Sequence, residues 1–207
     1  MDKNKSQLLS SLLRTKIIGT HQIEHYQSLP STQDRAWELA ASGIREGAVV
    51  IAGKQTLGRG RYKRAWFSPK DKGLYFSILL RPNIPHNHIT FLPLAAGIAL
   101  HKAIKPIIMN SRMMIRWPND ILICGKKIAG ILLEAQFLNG SATTVVLGIG
   151  INVKHEKNEF PMQIRESAAS LEQFSNSKID MTDLLAEVLN QFDKIYIMCR
   201  NLKLVVT

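Results

Sequence analysis

The residues with the densest chemistry are Gly58-Arg59-Gly60-Arg61-Tyr62-Lys63-Arg64-Ala65-Trp66, which gather two glycines, four cations and a tryptophan. Gly58 and Gly60 permit positive φ and close backbone approach, so successive N–H groups could turn inward around an anion. Arg59, Arg61 and Arg64 offer planar forks suited to phosphate and carboxylate, and Trp66 offers a face for stacking. A solvated basic loop with a half-buried tryptophan would use the same residues, and short motifs match by chance. The flanks separate the two readings. Ala48–Ala52 and Gly73–Leu80 are short apolar runs that read as buried strands. A basic loop joining two strands at a sheet edge is placed where ligand-binding loops usually sit.

Lys127 carries the second chemical signal. Most turn lysines are simply exposed. This one is followed by Ile128-Ala129-Gly130, where a small side chain and then none leave room for a ligand beside the ammonium. A lysine held there could neutralise a carboxylate attacking a phosphate and stabilise the oxyanions that develop. Further polar groups fall at predicted strand ends: Ser31-Thr32-Gln33, Gln55, Arg116 onward, and Gly148-Ile149-Gly150-Ile151-Asn152. Ser31 reads first as the N-cap of a helix, with Asp34 completing a capping box. A helix start also presents free N–H groups to a ligand.

These groups need a frame. The pattern predicts a short helix around Ser6–Leu13, a strand at Ile23–Ser28, a helix from Ser31 towards Ser42 stopped by Gly43, and a helix over Phe91–Lys105. Met113–Trp117 reads as a strand ended by Pro118, and Asn119-Asp120 as a turn before Ile121–Ile123. Gly125-Lys126-Lys127 reads as a turn, with strands at Ile128–Phe137 and Thr143–Ile149 joined at Asn139-Gly140. Lys154–Arg165 is a polar loop, and a last helix covers about Thr182–Arg200. The fold class is α+β: a mixed, mostly antiparallel sheet with helices packed on one side.

The 207 residues suit one domain, with 27 Lys and Arg against 16 Asp and Glu, a net +11. This favours anionic partners without choosing among them. A helix-turn-helix has no room before the first strand, so specific DNA binding is not expected. Cys124 and Cys199 have neither disulfide-framework nor zinc spacing, and no run is long and apolar enough for a signal peptide or membrane span. A cytoplasmic location is the simplest expectation. Oligomeric state is left open, a homodimer included.

Taken in order, Ser31-Thr32-Gln33, Gln55 through Trp66, Arg116-Trp117-Pro118-Asn119-Asp120, Lys127-Ile128-Ala129-Gly130 and Gly148–Asn152 resemble the serial motifs of biotin–protein ligases. The resemblance runs from about residue 23 to 200 and implies a class II aminoacyl-tRNA synthetase-like catalytic fold. It implies an ATP-dependent enzyme that uses biotin and Mg-ATP to form biotinoyl-AMP, then biotinylates a lysine of a biotin carboxyl carrier protein. By position, Ser31, Thr32, Gln33, Gln55, Arg59, Gly60, Arg61, Lys127 and Gly130 fall on the biotin side. Arg61, Arg64, Trp66, Arg116, Asn119, Asp120, Lys127 and Asn152 fall on the nucleotide side. Lys127 and Arg61 would be catalytic; metal ligands are not assigned. Ile128, Gly130 and Leu132 could line a slot for biotin's aliphatic chain. Residues 1–200 would form the catalytic domain. Residues 201–207 would be a short tail, or a remnant of the small SH3-like barrel that usually follows, and the DNA-binding domain of the bifunctional type is not matched. A lipoate ligase, a biotin-binding protein without carrier transfer, and a non-specific nucleic-acid binder remain as alternatives.

Overall fold

The computed structural model describes residues 2–82, 84–108 and 111–202. The order is α1 (Lys3–Leu12), β1 (Ile23–Tyr26), α2 (Thr32–Ala41), β2 (Val49–Ala52), β3 (Gly73–Leu80), β4 (Ile84–Pro85), α3 (Phe91–Ile104), β5 (Met113–Arg116), β6 (Asp120–Ile123), β7 (Lys126–Leu138), β8 (Ser141–Asn152) and α4 (Met181–Leu202). The strands form one sheet in the order β1-β2-β3-β8-β7-β6-β5, with β4 pairing onto β8. Only the β1–β2 pair is parallel, because α2 carries the chain back across the sheet; the other pairs are antiparallel.

Strand alternation divides the sheet into two faces. Phe76, Ile78 and Leu80 of β3 and Val145, Leu147, Ile149 and Ile151 of β8 point into the main core. There they meet α3, whose Ala95, Ala96, Ala99 and Ala103 allow close approach, and α4, whose Leu185, Val188, Leu189 and Phe192 recur at helical spacing. Asp193 of α4 accepts the backbone N–H groups of Lys16, Ile17 and Ile18, each at 2.9 Å, and so ties the segment before β1 to this layer.

The mixed sheet matches the expectation, but the helices do not all lie on one side. Ala36 and Leu39 of α2 pack on Val50, Leu79 and Val146, on the face away from α3 and α4. Periodicity marks a helix as amphipathic without saying which face of a sheet it will cover. Helix α2 covers only part of that face. Beyond its N-terminus, β8 offers Gly148 and Gly150 in place of side chains, and the site is built on this bare strip.

Candidate active site

The floor of the site is a tier of matched residues. Tyr75, Gly150, Gly130 and Asp120 are consecutive cross-strand partners on β3, β8, β7 and β6, and Ser77, Gly148 and Leu132 form the next row. The glycines leave the height of a side chain free, and two groups use it. The Trp66 indole lies over Gly150 and Gly130: a Cβ at Gly150 would stand 2.3 Å from Trp66 Nε1, and one at Gly130 2.8 Å from its ring. The Gln33 amide lies over Gly148, where a Cβ would meet its Oε1 at 2.7 Å.

Lys127 reaches this face through an irregularity. The β6–β7 register pairs Ile121 with Ala129 but Leu122 with Lys127, so Ile128 is an extra residue on β7. Regular alternation would send Lys127 to the core with Ala129 and Ile131. The bulge instead puts it beside Gly130 and Leu132, while Ile128 turns into the core. Ile128 therefore does not line a ligand slot as expected from the sequence, whereas Gly130 and Leu132 do. Lys127 starts neither in a turn nor free: it lies on β7, and its N–H and C=O bond to Ser167 and Ala169.

The residues gather into two adjoining chambers. The inner one is a socket of about 40 Å³ lined by Ser31, Thr32, Gln33, Gln55, Arg59 and Gly60, with Gly130, Leu132, Gly148 and Gly150 below. Apart from Arg59 and Lys127, both paired with acids, its polar groups are neutral and mutually bonded. Ser31 caps α2, accepting the Gln33 N–H at 3.2 Å. Gln55 Oε1 accepts the Thr32 N–H at 2.9 Å, and Gln55 Nε2 donates to Ser68 at 3.1 Å. The reciprocal half of the expected capping box is replaced: Asp34 accepts from Arg59 instead, which also reaches Glu134 at 3.4 Å.

The outer chamber is a cleft of about 440 Å³. Arg61, Arg64, Trp66, Arg116, Asn119, Asp120, Lys127 and Asn152 all line it, so the fold brings these motif residues together. Arg61 was also expected in the inner chamber, but it lines only the outer one, where it donates to Asn119 Oδ1 at 3.2 Å and lies over the Tyr62 ring. Asp120 is nearly buried. Its Oδ2 accepts from Arg116, and its Oδ1 lies 2.7 Å from Lys127 Nζ, a charge contact without hydrogen-bond alignment. Lys127 Nζ also stands 5.2 Å from the Trp66 ring centre. Asn152 spends its amide N–H groups on the carbonyls of Ala169 and Lys127 and so braces the cleft wall.

The basic loop differs from the expected anion nest. It leaves the ends of two interior strands and folds across β7 and β8, not at the sheet's edge. Gly60, Arg64 and Trp66 donate their N–H groups to the loop's own carbonyls, so these three are spent within the loop. Positive φ falls on Tyr62 and Lys63, not on the glycines. Gly58 is needed for close approach: a Cβ there would stand 2.7 Å from the Trp66 carbonyl oxygen.

The sequence reading missed Ser68 and Ser77, and it missed the wall made by Phe67, Phe160, Ile164, Ser167 and Ala168. Behind that wall His155 stacks on Phe160 at 4.8 Å, and burial lowers its pKa to about 4. A lone serine in the apolar run Gly73–Leu80 was the one available signal for Ser77, since a buried hydroxyl needs partners.

A family model described as the biotin/lipoate A/B protein ligase family matches residues 25–152. The bifunctional ligase/repressor BirA of Bacillus subtilis is 42% identical over 184 residues, covering 89% of this chain and 56% of the relative. The chain thus spans little more than half the length of that relative. The biotin–[acetyl-CoA-carboxylase] ligase of Mycobacterium tuberculosis is 31% identical over 208 residues, covering 97% of this chain and 75% of that one. The solved biotin protein ligase from Aquifex aeolicus in complex with biotin and ATP matches with a TM-score of 0.72 at 30% identity, over 87% of this chain and 72% of the other.

Proposed function

The chain belongs to the biotin/lipoate A/B protein ligase family, and we propose that its two chambers join biotin to ATP as a biotin–[biotin carboxyl-carrier protein] ligase. One observation carries the reading. Gly60, Trp66 and Lys127 line both chambers, so a single ammonium stands where a neutral polar socket opens into a cationic cleft. A molecule with a polar neutral head and a carboxylate tail, seated in the socket, would bring its carboxylate to Lys127 and to a nucleotide phosphate in the cleft.

In the first half-reaction the biotin carboxylate attacks the α-phosphorus of ATP. The bond to the leaving pyrophosphate breaks, and biotinoyl-AMP forms. Lys127 offsets the repulsion between the two anions, and Arg61, Arg64 and Arg116 meet phosphate oxygens. Asn119 holds Arg61 in place. Mg²⁺ arriving with the nucleotide would find Asp120, the one acid among the described residues lining the cleft; this suits an ion that takes one or two carboxylates and completes its shell with phosphate and water. The ion would supply charge neutralisation on the phosphates. In the second half-reaction a carrier lysine amine attacks the acyl carbon, AMP leaves with the bonding electrons of the C–O bond, and an amide forms with loss of a proton.

The socket's hydroxyls and amides favour a ureido ring over the dithiolane of lipoate, which offers neither N–H nor carbonyl. Residues 1–200 are the proposed catalytic unit; α4 runs to Leu202, and 203–207 lie outside the described residues. No helix among the described residues is long and apolar enough to cross a membrane. The test incubates the protein with ATP, magnesium and either biotin or lipoic acid, reading pyrophosphate, and adds a biotin-acceptor domain read by mass. Biotin-dependent pyrophosphate and a biotin-sized mass gain support the proposal. Neither product, or both with lipoic acid alone, overturns it.

A further inference from the structure

Ser77 is wholly buried on β3, it lines neither chamber, and no motif includes it. It nevertheless touches two socket residues. Its Oγ donates to Gln33 Oε1 at 2.9 Å and lies 2.8 Å from Thr32 Oγ1. We infer that Ser77 is a positioning residue that, together with Gln55, holds the Thr32 hydroxyl proton inward and so keeps Thr32 an acceptor towards the ligand.

The argument counts protons. The Val146 carbonyl can only accept, so Gln33 turns its amide nitrogen there, at 3.5 Å, and its oxygen to Ser77. Ser77 must then spend its single proton on Gln33. Ser77 therefore has no proton left for Thr32 and can only accept from it. A second chain agrees. Ser68 donates to the Trp66 carbonyl at 3.1 Å, so Gln55 must give Ser68 its N–H and turn its oxygen to Thr32. That oxygen receives the Thr32 N–H and lies 3.1 Å from Thr32 Oγ1. Both inward neighbours of the Thr32 hydroxyl are acceptors for its proton, and its outward side is left as a lone pair. Ser31 is the opposite case: its oxygen accepts from the Gln33 N–H, and its proton remains free to donate. An acceptor beside a donor is the complement of an N–H beside a C=O, the pattern of a cyclic urea.

This inference rests on the biotin reading, and the test separates the two. The variants are Ser77→Ala, Ser77→Cys, which keeps the volume with a poor hydrogen-bonding group, and Ser77→Thr, which keeps the hydroxyl. Each is assayed for pyrophosphate release with biotin and with the cyclic carbamate analogues in which oxygen replaces one or other ureido N–H. The wild type should prefer biotin over the analogue lacking the N–H that meets Thr32. In the Ala and Cys variants the KM for biotin should rise about tenfold, with kcat and the KM for ATP unchanged, and the preference should shrink because Gln55 alone then holds the Thr32 proton inward. The Thr variant should keep the wild-type preference. An unchanged preference in the Ala and Cys variants, or its loss in the Thr variant, overturns the inference. A wild type inactive with biotin overturns the functional reading as well. The ratio is read on whatever fraction folds, so lowered stability alone does not imitate it.

Discussion

The two chambers share a wall but recognise by opposite means. The inner socket is small, its cations Arg59 and Lys127 are paired with acids, and Thr32, Gln33, Gln55, Ser68 and Ser77 form one connected hydrogen-bond network. The outer cleft is wide and charged. Its cations reach in from exposed side chains; Arg116 is 59% exposed and Arg64 has no ion-pair partner among the described residues. A neutral ring system offers no long-range attraction, so the part of the site that holds it must be organised in advance. An anion is drawn by charge and tolerates a looser cradle. The difference teaches that geometry carries specificity in one chamber and electrostatics carries affinity in the other.

Lys127 belongs to both, and removing it gives the largest expected effect. Lys127→Ala should lower the rate of biotin-dependent pyrophosphate release by roughly 10²–10³ with the fold intact. Equal rates at equal folded protein would break the view that this ammonium joins the chambers.

The cleft's uncharged wall provides the next test. His155 has a folded-state pKa of about 4, below the 6.5 of an unhindered imidazole, because it is buried. The unfolded chain therefore takes up a proton that the folded chain refuses. The stability this contributes is complete above pH 6.5 and is lost as pH falls towards 4, at most about 3 kcal/mol. His155→Phe should flatten that part of the profile in urea titrations. A variant with the wild-type slope would show that the titration lies elsewhere, for instance at His25, whose pKa burial also lowers.

Gly150→Ala examines the partition itself. The added methyl overlaps Trp66 Nε1, so the indole must leave its place on the tier. Because Trp66 walls both chambers, the KM values for biotin and ATP should rise together, each by about tenfold at most. Tryptophan fluorescence should report the displacement. A change confined to one substrate would mean that the chambers are less coupled than their shared wall implies.

The smallest effect separates the chambers most cleanly. Raising salt from about 0.05 to 0.3 M shortens the screening length. The KM for ATP should rise a few-fold, whereas the KM for biotin should hold. Parallel rises would place charge recognition in the socket too.

The motifs named residues of both chambers: Ser31, Thr32, Gln33, Gln55, Arg59, Gly60, Lys127 and Gly130, which the resemblance put on the biotin side, line the socket. Arg61, Arg64, Trp66, Arg116, Asn119, Asp120, Lys127 and Asn152, which the resemblance put on the nucleotide side, all line the cleft. Gly73–Leu80 was likewise bounded correctly, because an uninterrupted apolar run between polar segments has few other outcomes. Ser77 lay inside that same run and passed for filler, since its meaning depends on the Gln33 and Thr32 side chains that only the fold brings near. The side taken by α2 was also hidden. It depends on the connection from β1 to β2, which a helical pattern does not encode. Nor could the glycines of the loop show that they serve close packing, leaving positive φ to Tyr62 and Lys63.

The extra residue at Ile128 has a further consequence, best put in terms of a reading frame. A strand is a message in which alternate letters are addressed to opposite faces, and the bulge shifts the frame once, between Lys127 and Ala129. Downstream letters address the core at odd positions; the lysine, also odd, is delivered to the other side. Pairing Ile128 into the ladder as an ordinary residue, with the bulge flattened, would readdress the ammonium to the helices, whereas losing Ile128 outright would set Lys127 directly before Ala129 and leave it addressed to the site. The side taken by the ammonium is therefore set by the bulge and its extra residue together: each cancels the shift that the other alone would impose.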